Sequence, residues 1–132
     1  MSRKSSPKSF LRQRAEKKGK RAETLACWWL RLKGYQIIAR RAKTPKGEID
    51  IIARRGKTLV FIEVKARRNF DHGIQSVTPR QMRRIVAAVQ YWCSSGKNRQ
   101  NLTCRFDIVI VKPYLLIRHL ENAFDERARG PA

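Results

Sequence analysis

The chain predicts an α/β domain in which helices flank a mixed β-sheet. Three features carry that prediction. A helix-period stripe near the N-terminus precedes two β-branched runs that meet at a glycine turn. A capped second helix follows, then a nearly continuous apolar run of the kind found in strands covered on both faces. The order helix, strands, helix, strand, strand suits a sheet with helices on both sides, a three-layer sandwich. With 132 residues there is room for one core. Residues 10–124 are read as a single domain between a disordered basic tail (1–9) and a frayed end (125–132).

The first helix is expected from about Phe10 to Lys33, with Gly19 either interrupting it or marking its start. Ala22, Leu25, Ala26, Trp29 and Leu32 form its apolar stripe, and Gly34 stops it. A short strand, Tyr35–Ala39, then leads into a basic loop over 40–46. Residues 48–53 and 58–65 form a hairpin around Arg54-Arg55-Gly56-Lys57. A loop closing symmetrically about Arg55 and Gly56 sets Asp50 opposite Phe61 and diagonal to Glu63, with Glu48 opposite Glu63. The period of two puts Lys65 on the same face; a loop of odd register would put Asp50 on the other side, so the convergence requires an even register or a compensating bulge. One face then collects Glu48, Asp50, Glu63 and Lys65, while Ile49, Ile51, Val60, Ile62 and Val64 make the other aliphatic.

Residues 69–77 read as a loop holding His72 and Gly73. Thr78, Pro79 and Gln81 occupy N-cap, N1 and N3 of the second helix, the pattern of a capping box. Met82, Ile85, Val86 and Val89 form its buried stripe, and Gly96 ends it. A strand over 102–111 and an edge strand over 114–120 complete the domain, separated by Pro113.

Lys and Arg number 31 against 10 Asp and Glu, a net charge of +21, which favours a polyanionic partner, nucleic acid first. Cys27, Cys93 and Cys104 are widely spaced among apolar neighbours and read as buried thiols. With His72 and His119 as the sole histidines, no zinc spacing occurs. Neither a signal-peptide core nor a membrane-length apolar run is present, so a cytoplasmic protein without a membrane partner is expected.

Asp50, Glu63 and Lys65 are the minimal set for metal-assisted phosphodiester cleavage. Two carboxylates hold a hard cation. The cation activates water, and the ammonium orients it or offsets developing charge. The competing reading of Glu63 and Lys65 is a surface ion pair worth under about 1 kcal/mol. Arg67, Arg68, Arg80, Gln81, Arg83 and Arg84 lie just past Lys65 or open the next helix, placed for phosphate contact or simply solvated. Asp107 reads as the ion-pair partner of Arg105, His72 as a loop residue, and Trp28, Trp29 and Trp92 as core.

Gly47-Glu48-Ile49-Asp50, Phe61-Ile62-Glu63-Val64-Lys65 with Arg67, and Arg105-Phe106-Asp107 together resemble the YraN family of small bacterial proteins. Asp50…Glu63-Val64-Lys65, with Ile49 in place of proline, is similar to the PD-(D/E)XK nuclease superfamily. The resemblance runs from about Gly19 to Phe124. It implies a restriction endonuclease-like fold, close to archaeal Holliday-junction resolvases. By it Asp50 and Glu63 would be metal ligands and catalytic acids, Lys65 the catalytic lysine, and the Val64 carbonyl a further ligand. Glu48 is an additional candidate ligand. Glu23 is either the extra acid beside the metal or a solvated helix carboxylate.

The expected activity is Mg²⁺-dependent hydrolysis of DNA, branched or structured, with Mn²⁺ as a substitute and a homodimer supplying two sites. The alternative is a nucleic-acid-binding module that keeps the fold without cutting. The chain departs from the family pattern at Ala22, where glycine is usual, at Arg41, where asparagine is common, and at Gln81-Met82, where lysine is common.

Overall fold

A computed structural model of the protein describes residues 7–96 and 102–124, with side chains from Gly19 onward. Helix α1 (Pro7–Leu32) precedes strands β1 (Gln36–Thr44), β2 (Gly47–Arg55) and β3 (Thr58–Ala66). Helices α2 (Phe70–Gln75) and α3 (Pro79–Ser95) lead to β4 (Thr103–Lys112) and β5 (Leu116–Phe124). The five strands lie in chain order, all antiparallel neighbours except β3 and β4, which run parallel. A parallel pair needs a long crossover, and α2 with α3 supplies it.

The sheet is buried on both faces. Ile52, Leu59, Phe61, Phe106, Ile108 and Ile110 pack beneath Ile85, Val86, Ala88 and Val89 of α3. Ile51, Ala53, Val60, Ile62, Val64, Val109 and Val111 pack beneath Ala22, Ala26, Cys27 and Leu30 of α1. The expected three-layer α/β architecture is present.

Several local expectations are corrected. Helix α1 begins at Pro7 and passes through Gly19 without a break; residues 1–6 and 125–132 lie outside the described residues. Its buried stripe is Ala22, Glu23, Ala26, Cys27 and Leu30, rotated away from Leu32, which is 86% exposed. Trp28 is exposed too, under the Arg31 guanidinium, whereas Trp29 packs edge-on against His119 and Trp92 against Phe61. The basic segment 40–44 is strand, not loop: β1 extends to Thr44 as the sheet's edge, where charged side chains suit the open side.

The β2–β3 turn is Gly56-Lys57, with Gly56 at φ +61 and Arg55 paired to Thr58. The register therefore slips by two residues from the symmetric closure, which preserves the faces and makes Asp50 the counterpart of Glu63. The face carrying them is apolar elsewhere, through Ile52, Leu59 and Phe61. Ile49 belongs to the α3-side core although Ile51 faces α1, so β2 changes face around Asp50. Residues 70–75 are helical, with Asn69 capping α2 through its side chain. Cys104 is exposed rather than buried.

Candidate functional site

β2 stops pairing with β3 after Ile51 and Ile62. Beyond that rung Val64 N–H donates to Asp50 Oδ2 at 2.9 Å, which sets the Asp50 carboxyl against that of Glu63. Lys65, two residues along β3 and so on the same face, places Nζ 3.2 Å from Glu63 Oε1. Gln81 Nε2 donates to that same oxygen at 2.7 Å. The N3 side chain of α3 thus serves the acid pair, and Thr78 alone caps the helix, accepting from Gln81 N–H. Burial raises the Asp50 carboxyl to about 7, reinforced by repulsion from Glu63. Burial also raises Glu63, against the opposing pull of Lys65.

These groups lie on a cleft of about 480 Å³ between the β1–β2 turn and the start of α3, lined by Thr44, Lys46, Glu48, Asp50, Glu63, Gln81 and Arg84 among others. Glu48 is exposed at its rim. Thr44 shapes the turn, its hydroxyl donating to Gly47 O and accepting from the Lys46 and Gly47 amides. Gly47 has φ +153, and a Cβ there would lie 3.7 Å from the Arg84 carbonyl oxygen, so the turn seats closely on α3.

Of the candidate phosphate contacts, Arg84 lines the cleft, and Arg80 an adjoining hollow shared with Gln81 and Arg84. Arg68 and Arg83 are exposed but line neither. Arg67 is half-buried, its Nη1 donating to the Ala66 carbonyl at 2.8 Å. Lys46 and Thr44 were missed by sequence reasoning because their segment read as an undirected loop. The Thr-Pro-Lys-Gly turn signal marked the spot.

Glu23 is 7% exposed, so the solvated alternative fails. Arg41 Nε donates to Glu23 Oε2 at 2.8 Å. Burial raises the Glu23 carboxyl, with Arg41 lowering it and the nearby Asp50 charge raising it further. Asp107 is fully buried and structural. It accepts from Arg105 Nε and Nη2, from the Asn122 amide at 2.9 Å, and bonds His119 Nε2 at 2.6 Å. Burial acts to raise its carboxyl, but these bonds overcome it and hold the group below its ordinary range. His72 is exposed on α2.

Hard oxygen donors in reach of one another are thus the carboxyl groups of Asp50 and Glu63. Among the described residues no group of three or more His, Cys, Asp or Glu side chains gathers as a metal cage. A divalent cation here would have two protein carboxylates, with water filling most of its shell, the arrangement Mg²⁺ favours.

Residues 22–111 match the model of the uncharacterised protein family UPF0102. A UPF0102 protein of Rhodopseudomonas palustris (strain BisB5) is 46% identical over 121 residues, 92% of each chain. One from Mesorhizobium japonicum is 48% identical over 116 residues, covering 88% of this chain and 93% of the relative. One from Bartonella bacilliformis is 42% identical over 125 residues, covering 95% and 98%. With the family model matched over more than half of its length and such relatives spanning nearly all of it, the chain belongs to UPF0102, the YraN family.

Proposed function

We propose that the protein is a divalent-metal-dependent nuclease of the PD-(D/E)XK type that hydrolyses phosphodiester bonds in DNA, with Asp50 and Glu63 as metal ligands. The observation that carries this reading is the facing of two carboxyl groups, Glu63 buried and Asp50 half-buried, with Lys65 beside them, in a cleft also lined by Lys46 and Arg84. Two facing acids form a donor set that a hard cation suits, because it offsets the burial that raises both carboxyl groups and the repulsion from Glu63 that raises Asp50 further. When bound, Mg²⁺ or Mn²⁺ would lower the pKa of a water and offset charge on the phosphate.

The chain's own parts have separate tasks. The Val64 amide fixes Asp50, and Gln81 fixes Glu63. Lys65 supplies positive charge at the acids, and Arg84 and Lys46 offer phosphate contacts at the cleft. The net charge of +21 favours a polyanionic substrate.

A second reading, a nucleic-acid-binding module without cleavage, is favoured by one detail. Glu63 Oε1 is engaged by both Lys65 and Gln81, which a metal would have to share or displace. Incubation of linear, single-stranded, flap and four-way DNA with the protein and Mg²⁺ or Mn²⁺ separates the two. Cleavage of any substrate supports the nuclease; binding without cleavage supports the module.

A further inference from the structure

We infer that Arg41 is the resident counter-ion of the acid cluster: it draws Glu23 out of the metal's ligand set and thereby limits divalent-cation affinity at Asp50 and Glu63. This rests on the metal-dependent reading above. Glu23 projects from α1 into the buried interior, close enough to Asp50 and Glu63 for the three charges to repel. Its carboxylate is held instead by Arg41, at 2.8 Å.

The backbone at Arg41 is unusual for a strand. Pairing of Arg40 with Ile51 and Ala42 with Ile49 puts Arg41 at the level of Asp50, and Arg41 adopts φ +51. A left-handed conformation is costly for a long side chain and is held only where its surroundings enforce it. Its effect is visible in the contacts. Ordinary strand alternation sends one of two consecutive side chains to a given face. Here both reach α1: Arg40 Nη2 donates to Thr24 Oγ1 at 2.9 Å, and Arg41 to Glu23.

Arg41 thus brings a fixed positive charge to the rung where a cation would bind. Its side chain is 38% exposed while that of Glu23 is 9%, so the pair meets solvent on the arginine's side and the acid's charge is answered from there. A dication arriving at Asp50 and Glu63 meets repulsion from the guanidinium and lacks the third carboxylate. Taking the arginine's charge away removes the repulsion and frees Glu23 at once.

Calorimetric titration of Mn²⁺ into the intact protein tests this. Arg41→Gly removes the charge and suits the left-handed backbone; it should bind Mn²⁺ at least about tenfold more tightly than wild type. The gain should vanish in Arg41→Gly/Glu23→Gln, where the charge balance is restored. Arg41→Asn, also uncharged and tolerant of positive φ, makes the same test should the glycine variant be unstable. A folded, uncharged variant that binds no more tightly than wild type overturns the inference alone, as does a gain that survives Glu23→Gln. If folded wild type binds no Mn²⁺ at all, the metal-dependent reading falls and the inference with it.

Discussion

Asp50 Oδ2 takes the amide hydrogen of Val64 at 2.9 Å, just past the last rung at which β2 pairs with β3. A side chain thus satisfies a backbone donor on β3 beyond the end of the ladder. That bond holds the Asp50 carboxyl beside Glu63, and the separation of the two strands makes the acid pair accessible from the cleft.

Asp50 makes stability depend on pH. Its carboxyl is raised from 3.8 to about 7, first by burial and then by Glu63. Between those values the folded chain keeps a proton that the unfolded chain has lost, so stability falls as pH rises. Without divalent cation, the wild-type unfolding midpoint should drop from pH 5 to pH 7.5 more steeply than that of Asp50→Asn. Both proteins carry the same histidines, so the difference reports the Asp50–Glu63 pair. Parallel profiles would contradict the raised Asp50 carboxyl.

Phosphate contact by arginines has a salt signature. Neutralising Arg84 or Arg80 should each reduce the slope of log affinity against log salt by roughly 0.9 on duplex DNA. Arg67→Gln should change it less, because that guanidinium is engaged by the Ala66 carbonyl. Unchanged slopes for Arg80→Gln and Arg84→Gln would assign both to a solvated surface.

Asp107 is a separate matter of stability. Its bonds to Arg105 and His119 are buried, and Arg105 also donates to the Tyr35 hydroxyl at 2.6 Å. Asp107→Ala leaves these partners unsatisfied and should cost about 3–5 kcal/mol in a denaturant titration. A loss below about 1 kcal/mol would contradict this role.

Gly73 has no room for a side chain. A Cβ there would fall 2.7 Å from Ile110 Cγ2, and Ile110 is fully buried between the layers. Gly73→Ala should destabilise by about 1–3 kcal/mol by the same measure, with α2 pushed off β4. A neutral substitution would show that the α2–β4 contact yields.

The apolar periodicities made the layers legible, because a sheet covered on both faces writes itself as β-branched runs. The acid pair was legible because every even register of the hairpin puts Asp50, Glu63 and Lys65 on one face; an odd register would have parted Asp50 from the others, and the observed one is even. The rest was hidden for identifiable reasons. A helix stripe read from apolar residues alone cannot include Glu23, whose burial depends on Arg41, eighteen residues away. An edge strand rich in Arg and Lys has the composition of a loop, so β1 and its turn were cut short. Gln81 satisfies the local pattern of a capping box, yet its side chain is taken by Glu63, a contact made only once α3 packs on the sheet.

The central claim is tested most directly by comparing wild type with Asp50→Asn on flap and four-way DNA in Mg²⁺ or Mn²⁺. Unfolding midpoints should be matched first. Wild type should cut, and the variant should lose at least roughly a hundredfold in rate, since losing a ligand costs no less than losing its supporting partners. Metal-free DNA affinity should hold or rise as a negative charge leaves the cleft. Equal cutting by the two proteins, or firm binding by both with no cutting, would contradict it.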